Sequence, residues 1–344
     1  MNVLLWHVHG SWTTAFVQGA HRYLLPVLPG RGPDGRGRAR TWSWPPNAVE
    51  RTPAELRDEE VDVVVLQRPE DEALATAWLG RRPGVDVPAV WLEHNAPQGR
   101  VNELRHPAAD RPELTVVHVT HTNRLLWDCG RTPTTVIEHG IVDPGPRCTG
   151  ELARAAVVVN EPGRRARVTG SDLLPLLARH APIDLFGMGT HAFAAATGVP
   201  LTAHGDVAQD RLHDALARRR VYLHPVRWTS LGLALLEAMH LGMPVVALAT
   251  TEVPRAVPPD AGVVSNDLDE LAGGLRRLLA DADLAAACGR RARAAALERY
   301  GLGRFLADWD RLLAQVRAEH RRRGERTRAA ALGPQGERTG EVTG

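Results

Sequence analysis

The chain has 344 residues, 44% of them hydrophobic and 24% charged, with 42 basic against 40 acidic side chains and a formal net charge of +2. That length supports two domains with a core each, and the near balance of charge excludes a dedicated nucleic-acid binder, which needs a strong basic excess. No lysine occurs anywhere, so any phosphate-binding cation must be arginine or histidine. Cys129, Cys148 and Cys288 are an odd number without motif spacing, which predicts reduced thiols and a cytoplasmic protein. The apolar run of MNVLLWHVHGSW is too short for a signal peptide and lacks a basic leader; no segment has the length to cross a bilayer. The expectation is a cytoplasmic protein, at most peripheral to the inner face of a membrane.

Val3–Val8 is predicted to be a strand, followed by a turn containing Gly10 and a helix over Thr13–Leu25, the opening of a doubly wound α/β domain. His7 and His9 share one strand face, but no third ligand stands nearby, so no metal site is expected. Gly30–Arg40 is basic and glycine-rich. It reads as a solvated loop or, more sharply, as a contact to an acceptor or an anionic membrane surface. Val61–Leu66 is a continuous β-branched strand of the kind buried on both faces, with a helix over Asp71–Leu79 after it. Pro88–Glu93 is the next strand, and His94 stands at its carboxyl end, where such domains hold their ligands. A strand-end histidine by itself is more often structural. Strand Thr115–Thr120, helix His121–Cys129 and strand Thr134–Glu138 complete the first half, with His118 and His121 read as fold residues.

Asp143–Arg147 (DPGPR) is the predicted connector between domains. A second α/β series begins with strand Ala155–Asn160. Its following loop, EPGRRARVT, sets Arg164, Arg165 and Arg167 between a strand end and a helix predicted over Gly170–Ala181. Three such arginines form either a phosphate cradle or a solvated basic loop. Strand Ile183–Gly187 and helix Asp210–Arg218 then lead to VYLHPVRWTSLGLALLEAMHLGMPVVAL, residues 221–248, around which the chain is organised. Here a strand ends at His224, Ser230 caps a helix predicted over Leu231–Leu241, Gly242 closes it, and Val245–Leu248 is a strand. The helix is apolar almost all round, with one carboxylate, Glu237, about two turns and roughly 10 Å beyond Ser230. A buried carboxylate needs a partner, either an internal arginine or the hydroxyls of a ligand. The helix entrance would offer amides to a phosphate, and Glu237 would then meet the rest of a nucleotide.

Pro225, Gly232, Leu235–Met239, Gly242 and Pro244–Ala247 resemble the donor-site signature of family-4-type retaining glycosyltransferases of the GT-B fold. Gly163-Arg164, Gly170 and Asp172 are similar to that family's phosphate loop, Gly187-Met188-Gly189 to its strand-end Gly-x-Gly, and VWLEHN to its strand ending in a site histidine. The resemblance covers most of residues 1–315 and implies α/β architecture, with two Rossmann-like doubly wound domains facing across a cleft. The expected division is an acceptor-side domain over 1–146, a nucleotide-sugar domain over 147–302, and a helix over 303–322 crossing back to the first domain. A polar, disordered tail is expected over 323–344.

The resemblance implies transfer of a sugar, with retention, from a nucleotide-diphosphate donor to a glycan, lipid or small-molecule acceptor. Glu237 would hold the ribose, and Arg164 with Arg165 or Arg167 the diphosphate. Ser230, Leu231, Gly232 and Leu233 would bind the distal phosphate or sugar through their amides, and His94 would be the active-site group facing the sugar. Gly10 would let the first loop approach the donor, and Gly187 would belong to the donor pocket. No cofactor or metal is implied beyond the nucleotide sugar as co-substrate. Two positions depart from the pattern: Thr229 stands where the family's first glutamate would be, and Thr169 where its lysine would be. If the protein is an enzyme, Arg227 or the Ser230–Leu233 amides would replace that grip. The departures also sustain other readings: a GT-B-like binding or scaffold protein, and an epimerase or hydrolase of the same fold.

Overall fold

The structure is a computed structural model that describes residues 1–332. Seven parallel strands form the first sheet: β1 (Asn2–Leu5), β2 (Arg22–Pro26), β3 (Ala48–Arg51), β4 (Val63–Leu66), β5 (Ala89–Glu93), β6 (Val116–His118) and β7 (Thr134–Val136). Their order is β3-β2-β1-β4-β5-β6-β7. The continuous apolar runs follow from burial on both faces. Val3, Leu5, Val63 and Val65 enter one layer, while Leu4, Trp6, Val64 and Leu66 enter the opposite one.

The second sheet has six parallel strands: β8 (Leu152–Val158), β9 (Ile183–Phe186), β10 (Leu201–Ala203), β11 (Arg219–His224), β12 (Val245–Leu248) and β13 (Gly262–Ser265). Their order is β10-β9-β8-β11-β12-β13. Each sheet reverses its winding beside its first strand, between β1 and β4 and between β8 and β11. Such switch points open a crevice at the strands' carboxyl ends.

The helix expected over Thr13–Leu25 spans only Gly10–Phe16, and Arg22–Pro26 is a strand instead. Tyr23, Leu24 and Leu25 are fully buried next to β1, a burial that a surface helix would not give them. The helix expected over Gly170–Ala181 breaks into a turn at Ser171–Leu173 and a short helix at Leu174–Leu177. Gly170, at φ +69°, ends the preceding turn; a Cβ there would lie 1.7 Å from the carbonyl oxygen of Pro225.

The last helix, Leu302–Leu332, sends Phe305, Trp309, Leu312, Leu313 and Val316 into the first domain's core beside Trp12 and Phe16. It continues past Arg323, so the tail expected from that residue is helical as far as Leu332; the remainder lies outside the described residues. Where the chain passes between the sheets, the Ile141 amide donates to the Tyr300 carbonyl at 3.0 Å, tying the two crossings together. Cys129, Cys148 and Cys288 are free thiols. Among the described residues no helix is long and apolar enough to cross a membrane.

Candidate functional site

The carboxyl ends of β1, β5, β8 and β11 converge on a cavity of about 350 Å³ lined from both domains, with His94, Arg165, Thr229 and Ser230 in its wall. His94 is placed by its strand end. The Glu93 carboxylate accepts from the Asn95 amide at 2.6 Å and fixes the turn. The His94 ring then meets Gln67, whose Nε2 donates to the Trp6 carbonyl at 2.7 Å and whose Oε1 lies 2.9 Å from His94 Nε2. That arrangement makes Nε2 the protonated nitrogen and leaves Nδ1 as an acceptor. Burial, reinforced by the neighbouring His9 and His139, holds the His94 pKa well below its ordinary value, so the ring is neutral. His9 packs on it at 4.1 Å between ring centroids, and burial lowers its own pKa to about 4.

The helix expected from Leu231 begins at Leu233, with Gly232 as its N-cap. Gly232 is required by packing, since a Cβ there would stand 2.6 Å from the ring of His224 beneath it. The amides of Leu233 and Ala234 belong to the first turn, which has no intrahelical acceptors, and both residues line the cavity. Glu237 follows about 7.5 Å from the cap along the helix axis. It is 6% exposed, and the internal arginine expected as one of its two alternative partners is not there. Ser11 Oγ donates to its Oε1 at 2.6 Å, Gln209 Nε2 donates to its Oε2 at 2.8 Å, and His213 Nε2 lies at 3.4 Å. No arginine is involved, and the carboxylate lines two further cavities of about 420 and 520 Å³. Gly187, at φ +121°, lines the larger; its Cβ would meet the Val159 carbonyl at 2.3 Å.

The three loop arginines are not equivalent. Arg164 is 71% exposed and ion-paired with Glu161; Arg167 is 78% exposed and pairs with Asp172 at 2.8 Å. Arg165 makes no side-chain hydrogen bond or ion pair among the described residues, and it lines the cavity that holds His94. Thr169 also lines it, but its hydroxyl is engaged with the Arg165 carbonyl at 3.1 Å and with Ser171 at 3.0 Å. Arg227, expected as a substitute grip on the sugar, instead forms a forked pair with Asp172, with one arm at 3.1 Å. Gly10 opens the first helix, and an indole, Trp42, covers it: a Cβ at Gly10 would lie 2.8 Å from that ring.

Hydrogen bonds cross between the domains beside the cleft as well as along the connecting segment, where Arg299 pairs with Glu138 and Arg293 with Asp143. Those beside the cleft include Ser11 to Glu237, Trp228 Nε1 to the Pro97 carbonyl at 2.8 Å, and Thr122 Oγ1 to Glu252 at 2.7 Å. Sequence reasoning did not single out Ser11, Trp42, Gln209, His213 or His224 as site residues. Of these, only His224 carried a local signal, as the last residue of a buried strand. Among the described residues no group of three or more His, Cys, Asp or Glu side chains is arranged to hold a metal ion. His7 instead places Nδ1 3.1 Å from the Gly37 carbonyl, and His118 packs against Cys129.

Residues 172–281 match the family described as Glycosyl transferases group 1. Sulfoquinovosyl transferase SQD2 of Arabidopsis thaliana is 33% identical over 129 residues, covering 36% of this chain and 24% of that protein. The chain thus matches about a quarter of that relative's length. Sucrose-phosphate synthase from Thermosynechococcus elongatus has a similar structure, with a TM-score of 0.66 at 14% identity over 93% of this chain and 100% of that one. HepE of Anabaena, solved with UDP, gives 0.64 at 14% identity over 92% and 100%. The chain therefore has the GT-B fold of two Rossmann-like domains, and its second domain is similar to group 1 glycosyl transferases over residues 172–281.

Proposed function

We propose that the protein is a retaining glycosyltransferase that moves a sugar from a nucleotide-diphosphate donor to a glycan, lipid or small-molecule acceptor, without a metal ion. The observation that supports this most is the alignment, along one cleft, of an uncommitted arginine, a helix entrance and a buried carboxylate. Arg165 and the Leu233 and Ala234 amides would take the diphosphate, and Glu237 the ribose hydroxyls. Charge on the departing diphosphate would be met by these groups. Neutral His94, with Nδ1 free to accept, would face the sugar from the first domain. Closure of the cleft would exclude water from the donor. Thr229 and Ser230 would then border the sugar pocket with neutral hydroxyls, and Arg164 and Arg167 would hold the loop rather than the ligand.

UDP is the first nucleotide to test, because HepE was solved with it, and sulfoquinovosyl and uronic-acid donors belong in the screen beside neutral ones. The experiment is a calorimetric screen of nucleotide sugars, followed by analysis of the product's anomeric configuration with the tightest donor. Transfer with retention, undiminished by a chelator, is the expected result. Binding without turnover would favour the scaffold reading, which the uncharged Thr229 and the engaged Thr169 support. Release of free sugar or of an altered nucleotide sugar would favour the hydrolase or epimerase reading.

A further inference from the structure

The segment between β2 and β3, which includes the Gly30–Arg40 stretch read from sequence as a solvated loop or a contact to an acceptor or membrane surface, is folded onto the first domain. Trp44 Nε1 donates to Thr14 Oγ1 at 2.7 Å, and Trp6 Nε1 donates to the Asp34 carbonyl at 3.1 Å. Arg38 ties the middle of the segment to its β3 end: its amide donates to Glu50 at 2.8 Å and its guanidinium to the Pro45 carbonyl at 3.0 Å. The segment is thus a rigid bracket, and Trp42 is what it carries to the cleft.

Trp42 rests on the bare backbone of Gly10, where any side chain would strike the ring at 2.8 Å. Together with Ser11 and Thr41 it is the first domain's contribution to the wall of the cavity beside Glu237, to which the second domain adds Val158, Leu212, Leu233 and Ala234. The wall of this cavity of about 520 Å³ therefore combines an indole and aliphatic side chains with the polar groups of Asn160, Asp206, Gln209 and Glu237. An indole and aliphatic side chains lining one cavity suit a flat aromatic ring, and the Glu237 carboxylate suits a vicinal diol. A nucleoside carries both. Trp42 Nε1 makes no hydrogen bond among the described residues, so no contact within the first domain uses the polar end of the ring.

We propose that Trp42 is a base-stacking residue supplied across the cleft, so that the nucleoside is sandwiched between the two domains rather than held by the second alone. This rests on the nucleotide-diphosphate reading of the site. It assigns the bracket a positioning role: recognition of the base requires the closed cleft, and base stacking in turn holds the cleft closed. Stacking tolerates any base, since every base presents a π-face.

The test is calorimetric titration of wild type, Trp42→Phe and Trp42→Ala with UDP, GDP, ADP and inorganic pyrophosphate. Tryptophan emission of wild type and Trp42→Phe is followed in parallel, with thermal melting as the folding control. For the nucleotide that wild type binds, Trp42→Ala is expected to lose about 5- to 100-fold in affinity, with Trp42→Phe retaining most of it. Pyrophosphate affinity is expected to be the same in all three proteins. Quenching of wild-type emission by the nucleotide, much reduced in Trp42→Phe, places the base on that ring. Equal nucleotide affinity in folded Trp42→Ala, or equal loss for pyrophosphate, overturns the stacking role while leaving the nucleotide reading intact. If wild type binds no nucleotide, the nucleotide reading fails, and the stacking role with it.

Discussion

Glu237→Ala is expected to weaken nucleoside-diphosphate binding by about 10- to 150-fold. The carboxylate is 6% exposed, so its contacts are poorly screened by solvent. Its Oε1 accepts from Ser11 at 2.6 Å and its Oε2 from Gln209 at 2.8 Å. Two carboxylate oxygens have about four acceptor sites, so ribose hydroxyls can bind beside these donors or in place of Ser11. Hydrogen bonds to a charged group contribute about 1.5–3 kcal/mol, and about 1.4 kcal/mol is a tenfold change, which gives the range stated. Ser11 and Gln209 line cavities and can turn to water, so the variant is expected to fold with a small change in melting temperature. Calorimetry with UDP and with pyrophosphate is the assay: the loss is expected for the nucleotide and not for the inorganic anion. Glu237→Gln keeps one acceptor oxygen and is expected to fall between wild type and alanine. A folded Glu237→Ala protein with wild-type nucleotide affinity would remove this helix from the donor site.

Arg165→Ala is expected to lower affinity for a nucleoside diphosphate at least tenfold while leaving the bare nucleoside unaffected. Arg164→Ala, whose side chain is paired with Glu161, is expected to change either by less than a factor of about three; the reverse order would refute the assignment. Thr229→Glu is expected to reduce turnover by placing an unpaired charge in the cavity that holds His94, and unchanged kinetics in an active protein would put Thr229 outside the sugar pocket. His139 is 2% exposed, both its ring nitrogens lack partners among the described residues, and burial lowers its pKa to about 3. The unfolded chain, titrating near 6.5, therefore binds the extra proton between those two values, and stability is lost as pH falls through that window. His139→Leu is expected to make the pH dependence of the unfolding free energy, read from denaturant titrations, shallower by up to about 1.4 kcal/mol per pH unit there, and an unchanged slope would contradict a neutral buried ring.

The parts of the site that were legible in sequence are those fixed by local pattern. One carboxylate on an apolar helix identified Glu237 as a residue needing partners, and the strand end identified His94. What partners Glu237 takes was not legible, because Ser11 is 226 positions away and nothing in its own surroundings marks it. Trp42 was hidden differently. It lies next to a Gly-, Pro- and Arg-rich stretch whose composition resembles a solvated loop, and its order comes from hydrogen bonds of Trp6, Trp44 and Arg38 to side chains and backbone outside its local pattern. The commitments of Arg164 and Arg167 were closer to hand, since Glu161 and Asp172 stand within a turn or so of them; charge counting without pairing made them look available. In the fold, β2 was lost because a three-residue apolar run suits a helix or a strand equally, and its parallel partner β1 decides the matter.

The last helix has a consequence for how the protein is made. The first domain's aromatic core, around Trp12 and Phe16, is covered by Phe305, Trp309 and Val316, which leave the ribosome only after the whole second domain. N-terminal domains ordinarily fold first during synthesis. Here the first sheet must wait, with one apolar face open to other chains, while the second, whose core is built from residues between Ile141 and Tyr300, can already close. Nascent chains stalled before Phe305 would therefore be the species most prone to aggregate and to engage chaperones. Late completion also means that a ribosome-released chain acquires its cleft and the core of its first domain in the same final step.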